Sequence, residues 1–256
     1  MRRPEPFWQD KPVFITGASS GIGEALALEL AAVGARVGLF ARRKERLEDI
    51  ARRIQDAGGW AIPLPGDVSR RDDVHRAVAR FNREAGPVEV LVANAGRGMG
   101  RTPDTDARAV DDLFGINFLG AVYSLEAVLP GMRDRGRGHI AAVSSALALL
   151  PGLFGSPTYA ASKAAMGRYF EGVGRQLRPE GIFVTVVYPG FVRTEMTAGL
   201  RFLPFALEAK DAARRIRRTI ERRKARCAFP RRALWLGRLA QLVPTRYQRM
   251  GQRRFR

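Results

Sequence analysis

The chain has 256 residues and 46% hydrophobic content, enough for one large α/β core or two small domains. Its 44 lysines and arginines against 25 acids give +19, and the excess is uneven: residues 1–200 hold 26 basic and 22 acidic side chains, residues 201–256 hold 18 and 3. Cys227 is the only cysteine, which excludes an intrachain disulfide, and two histidines without a Cys/His cluster argue against a zinc site.

The opening Met1 to Pro6 lacks the apolar core of a signal peptide, so a cytoplasmic protein is expected. Val13-Phe14-Ile15 predicts a short strand that runs into glycines, with Ala25, Leu26, Leu28 and Leu30 marking a helix behind it. Arg36 to Phe40 predicts a second strand, and Leu47, Ile50, Ala51 and Ile54 recur at helical spacing. A third strand at Ala61 to Leu64 precedes a helix marked by Val74, Val78 and Phe81. Val88 to Ala93 and Ile140 to Val143 read as buried strands on either side of a long helix around Leu113 to Leu129. Tyr159 to Leu177 predicts a helix and Ile182 to Tyr188 the next strand. The most apolar stretch, Ile140 to Pro157, is broken by serine, glycine and proline, so no membrane-spanning helix is expected. Strands alternating with helices imply a parallel sheet covered on both faces, and right-handed crossovers make a doubly wound α/β domain the simplest solution. The expected organisation is one dinucleotide-binding catalytic domain over residues 1–200, followed over 201–256 by a substrate-loop region and a basic helical extension.

Thr16-Gly17-Ala18-Ser19-Ser20-Gly21-Ile22-Gly23 joins the first strand to the first helix. Glycines there let the backbone turn tightly and approach a pyrophosphate held at a helix N-terminus. The second strand ends in Phe40-Ala41-Arg42-Arg43, without the acid that binds the ribose hydroxyls of NAD. Arg42 and Arg43 can instead form charge-assisted hydrogen bonds to a 2′-phosphate, which points to NADP. The competing reading makes them ordinary solvated residues at a helix start in an arginine-rich chain.

Tyr159 and Lys163 lie four residues apart, on one face of a helix. A free phenol, with a pKa of about 10, is a poor base at neutral pH, and a nearby ammonium lowers that pKa toward the working range. Together with Thr16-Gly17-x-x-x-Gly21-Ile22-Gly23, Asp67-Val68, Asn94-Ala95-Gly96, Asn117, Ser144-Ser145 and Pro189-Gly190-Phe191-Val192-Arg193-Thr194, this pair resembles the short-chain dehydrogenase/reductase family over roughly residues 10 to 200. The resemblance implies a Rossmann-type sheet and a proton shuttle at Tyr159. It also implies that Lys163 holds the nicotinamide ribose, Ser145 bonds the substrate oxygen, and Asn117 anchors a water that relays protons to Lys163. Asp67 would meet the adenine, Asn94 would line the cleft, and Thr194 would contact the carboxamide or phosphates. Ser19, Ser20, Ile22, Val68, Ala95, Gly96, Pro189, Gly190 and Val192 complete the implied cofactor surface. Ser145 lies fourteen residues before Tyr159, one more than is usual in the family, which leaves Ser144 as the alternative. The other function class that fits is an NADP-binding sensor or scaffold without turnover.

Leu147, Leu149, Leu150, Leu153 and Phe154, with Phe191, Met196, Phe202, Leu203 and Phe205, would wall a pocket for an apolar carbonyl or alcohol; the competing reading makes most of them core or interface residues. Leu207 to Arg223 predicts a helix with an arginine-rich outer face, and Arg231 to Val243 a second one carrying Trp235, Leu239, Leu242 and Val243 on one side. Arg246 to Arg256 adds five arginines with Tyr247 and Phe255. Three readings of this tail stand: a solvated basic face, peripheral binding to an anionic membrane on its inner face, and nucleic-acid binding, which no recognised motif supports. The resemblance also implies a homodimer or homotetramer.

Overall fold

The computed structural model describes residues 7–98, 105–150, 156–199, 203–230 and 232. The strand–helix alternation unfolds in chain order as β1 (Pro12–Thr16), α1 (Gly21–Ala31), β2 (Arg36–Ala41), α2 (Lys44–Asp56), β3 (Trp60–Pro65), α3 (Arg71–Ala85) and β4 (Val90–Ala93). It continues with α4 (Ala107–Phe114), α5 (Gly120–Asp134), β5 (Gly138–Val143), α6 (Pro157–Leu177) and β6 (Ile182–Pro189). The short pair β7 (Val192–Arg193) and β8 (Leu207–Glu208) precedes α7 (Ala209–Glu221) and β9 (Arg226–Phe229).

Seven strands pair in parallel in the order β3-β2-β1-β4-β5-β6-β9. Their side chains alternate between two layers. Val13 and Ile15 of β1 join Leu26, Leu30, Ile50, Ile54, Ile216 and Ile220 from α1, α2 and α7. Phe14, between them, faces the opposite way and joins Phe40, Phe81, Leu125, Val128, Met166 and Phe170, which come from β2, α3, α5 and α6. Both faces are therefore covered, and the doubly wound expectation holds. Strand order reverses between β1 and β4, and the crevice at the C-terminal ends of those strands is where ligands bind in such sheets.

Three expectations change. The helix expected around Leu113 to Leu129 is not one regular helix: α4 passes through a π-helical turn at Gly115–Leu119 into α5. The run Ala107–Asp134 is also long and apolar enough to cross a membrane by length and composition, which the sequence reading did not anticipate. Its Leu113, Ala121, Leu125, Val128 and Met132 are buried, and the last four of these belong to the core beneath the sheet.

The boundary at residue 200 does not separate two structural units either. Pairing of β9 with β6 makes residues 226–229 the seventh strand, while Ala212, Ile216 and Ile220 of α7 are fully buried. The arginines of α7 are held by the same domain: Arg217 pairs with Glu29 at 2.9 Å and with Glu221, and Trp8 donates its indole N–H to Glu221 at 2.6 Å. Apart from Arg232, the second tail helix expected at Arg231 to Val243, and everything in the tail from residue 233 on, lie outside the described residues.

Candidate active site

The phosphate loop owes its shape to three glycines. Gly17 and Gly21 adopt φ of +68° and +60°, where side chains are strained, and a Cβ on Gly17 would sit 2.7 Å from Ala95 Cα. A Cβ on Gly23 would fall 2.1 Å from the Gly17 carbonyl oxygen. Ser20 precedes α1 in extended conformation without a side-chain cap, so the helix N-terminus presents its N–H groups to the crevice, as binding of a pyrophosphate requires. Ile22, half-buried, packs against the core.

Asn94 does more than line this cleft. Its Nδ2 donates to the carbonyls of Thr16 at 3.0 Å and Gly17 at 3.2 Å, while the N–H groups of Asn94 and Ala95 donate to Thr16 Oγ1 at 3.0 and 3.1 Å. The ends of β1 and β4 are thus locked together. Asp67 follows β3, and its Oδ1 accepts from the Ser69 N–H at 2.9 Å and hydroxyl at 2.7 Å. Burial works to raise its pKa, but the two Ser69 bonds, Arg42 and Arg70 outweigh it and the carboxyl lies below its usual value. Val68 turns away from the crevice into the core and fits where Gly120 has no side chain.

The two arginines after β2 behave differently. Arg42 is exposed and only 3.9 Å from Asp67. Arg43 leans on the phosphate loop, donating to Ser19 Oγ at 3.2 Å and to the Ser19 carbonyl at 3.3 Å, and pairs with Glu195 at 2.8 Å. All three Arg43 side-chain nitrogens are thus engaged beside the loop, and β2 ends without an acid.

Across the crevice, Ser145 and Tyr159 meet. Ser145 caps a 3₁₀ turn at Ala146–Leu149, accepts from the Leu147 N–H at 3.2 Å, and shares a hydrogen bond with the Tyr159 hydroxyl. Ser144 points elsewhere: its hydroxyl donates to the Lys163 carbonyl at 2.7 Å. Between the two serines, geometry favours Ser145. Lys163 is 3% exposed; its Nζ donates to the Val143 carbonyl at 2.9 Å, and a Cβ on Gly96 would lie 3.0 Å from Nζ. A side chain at 96 would crowd that ammonium.

One expectation about charge is revised. Burial lowers the Lys163 pKa to about 8. Burial also raises the Tyr159 phenol above its ordinary value, with the Ser145 bond opposing the rise, instead of the depression expected from the neighbouring ammonium. Asn117, fully buried in the π-helical turn, accepts from Arg97 N–H at 2.9 Å and donates to the Arg97 carbonyl and to Ser162 Oγ, both at 3.0 Å. Both Nδ2 protons are committed, so the side chain clamps the chain after Gly96, while its Oδ1 lies 3.2 Å from where a Gly96 Cβ would be, on the same side as Lys163 Nζ. Ser162, absent from the sequence reading, completes this clamp by donating to the Tyr159 carbonyl at 2.8 Å.

After β6, Gly190 donates its N–H to the Phe229 carbonyl at 2.6 Å, and Val192 is buried in the β7–β8 pair. Pro189, the last residue of β6, pairs with Phe229 of β9 in the sheet. These three residues hold the loop; Thr194, 3.0 Å from where a Gly21 Cβ would be, is the one that reaches the phosphate turn. Of the expected pocket wall, Leu150 is buried and Leu149 packs on the core, whereas Met196 and Phe205 are 52% and 49% exposed. Leu147, Phe191 and Leu203 are half-buried, and Leu153, Phe154 and Phe202 lie outside the described residues.

Comparison with known proteins gives a consistent result. The family model described as short chain dehydrogenase matches residues 11–202. An uncharacterised oxidoreductase of Myxococcus xanthus (strain DK1622) is 38% identical over 91% of this chain and 93% of its own length. The 11-beta-hydroxysteroid dehydrogenase-like 2 of Arabidopsis thaliana is 39% identical over 73% of this chain, a match that spans 61% of that relative. Among solved structures, L-sorbose reductase from Gluconobacter frateurii, complexed with NADPH and L-sorbose, aligns over 88% of this chain and 97% of its own, with a TM-score of 0.79 and 26% identity.

Proposed function

Because the chain belongs to the short-chain dehydrogenase family, and is thus an oxidoreductase acting on CH–OH/C=O groups, we propose that it uses NADP(H) to interconvert an apolar carbonyl and secondary alcohol, with Tyr159 as acid/base. The observation that carries this is the Ser145–Tyr159 hydrogen bond at the mouth of the crevice, one helical turn from buried Lys163.

Bound NADP(H) supplies the hydride. The Gly17–Gly23 turn would hold its pyrophosphate, Arg43 its 2′-phosphate, and Asp67 its adenine. Ser145 orients the substrate oxygen and stabilises the charge growing on it. A phenol with a raised pKa stays protonated at neutral pH, so Tyr159 is ready to donate its proton to a developing alkoxide. Lys163, near half-charged around pH 8, lies beside Gly96 where the nicotinamide ribose would rest. Exposed Met196 and Phe205, and a relative named for a hydroxysteroid, support an apolar substrate. We take the enzyme to be a cytoplasmic homo-oligomer whose basic tail meets anionic membrane.

The test is a panel of ketones and alcohols graded by size and polarity, assayed with NADPH and with NADH. Turnover of apolar ketones with NADPH is expected. Cofactor binding without turnover of any member would favour the sensor reading, and preference for NADH or for sugars would overturn the cofactor or substrate assignment.

A further inference from the structure

Glu195 occupies an unusual position for an acid. It stands immediately after Thr194, on the loop that reaches the phosphate turn, and its two carboxylate oxygens hold two arginines of the α2 N-terminal segment: Arg43 Nη1 at 2.8 Å and Arg46 Nη2 at 3.3 Å. Ser20, in the phosphate turn itself, adds a hydrogen bond. Contact with Arg43 above all keeps the carboxyl below its ordinary pKa, so it is charged at neutral pH. A carboxylate and a phosphate are interchangeable partners for a guanidinium fork. The acid missing from the end of β2 is thus delivered to the same arginines from the far side of the crevice, by a residue 152 positions later.

We propose that Glu195 is a specificity-determining latch: it competes with the cofactor's 2′-phosphate for Arg43 and Arg46, and ties the Thr194 loop to the phosphate turn until that phosphate displaces it. This rests on the NADP reading above, and it adds Arg46 to the phosphate-binding set. A dinucleotide without the 2′-phosphate leaves the latch closed; one with it must break two exposed ion pairs to gain its own. The present acid therefore lowers the enzyme's discrimination between the two cofactors, and its removal should sharpen it.

The experiment is titration of the full chain with adenosine 2′,5′-bisphosphate and with 5′-AMP, followed by calorimetry, for wild type, Glu195→Gln, Arg43→Leu and the double variant. Glu195→Gln should tighten the bisphosphate by about threefold to tenfold, as loss of an exposed ion-pair network allows, and leave 5′-AMP unchanged. The gain should shrink at high salt and be lost in the Arg43→Leu background. If wild type prefers the bisphosphate but Glu195→Gln leaves that preference unchanged or weakens it, the latch is wrong and the cofactor reading stands. If neither protein discriminates the two probes, the cofactor reading falls and the latch with it.

Discussion

A lysine ammonium sealed from water destabilises the fold that holds it, and Lys163 is such a group. Its pKa falls from 10.5 to about 8, so between those values the unfolded chain binds a proton that the native state does not. Stability should therefore rise with pH from about 8 to about 10.5, and the full penalty applies below 8. Lys163→Met should stabilise the protein at pH 7 by about 1–3 kcal/mol, less what is lost with the bond to the Val143 carbonyl, while abolishing turnover. Urea unfolding at pH 7 and pH 10.5 checks this: the gain should vanish at the higher pH, and a gain equal at both would contradict the assigned burial of charge. Tyr159, Lys163 and the glycine turn could be picked out in the sequence because their local motifs stand in order with five others; spacing alone would have left the pair an ordinary surface one. The roles of Asn117 and Asn94 were not, since a hydrogen bond from Asn117 to the Arg97 backbone, or from Asn94 to the Thr16 carbonyl, leaves no periodic trace.

At the scale of elements, His139 joins β5 to β6 and to the turn before β9. Thr185 donates its only hydroxyl proton to the Lys224 carbonyl at 2.7 Å, so it must accept from His139 Nε2 at 2.8 Å, which fixes the proton on that nitrogen. Burial first, then Arg223 and Lys11, depress the histidine pKa from 6.5 to about 4. The unfolded chain consequently takes up a proton first as pH falls, and stability complete above about 6.5 is lost toward pH 4. His139→Gln keeps a donor but cannot titrate, so its stability should fall by about 2 kcal/mol less than wild type between pH 7 and pH 4.5. Parallel profiles in denaturant midpoints would refute the assignment. The helices and six of the strands followed from hydrophobic period, but β9 did not. Its Arg226-Cys227-Ala228-Phe229 is too short and too polar to read as sheet, and becomes a strand only because β6 offers it an edge. The π-helical turn was equally hidden, because one extra residue in a helix barely disturbs a 3.6-residue pattern.

For the whole molecule, charge follows the same division between visible and hidden. The sequence put a basic tail after residue 200, yet the arginines of residues 209–226 are largely spent on the domain itself: Arg214 and Arg217 on Glu29, Arg226 on Glu171, and Arg215 and Arg223 over Phe229 and Phe183. Residues 231–256 keep eight arginines and no acid. Removing 231–256 should leave the melting temperature within a few degrees of wild type, because β9 is retained, and should abolish sedimentation with anionic vesicles. Truncation at 200 should instead leave no cooperative fold, since it strips the sheet of β9 and the core of Ile216 and Ile220. The central claim, that a phenol delivers the proton, is tested most directly by Tyr159→Phe, assayed for ketone reduction alongside NADPH affinity. The account predicts a fall in kcat of about 10²- to 10⁴-fold with NADPH affinity unchanged; turnover that survives the loss of this one hydroxyl would contradict it.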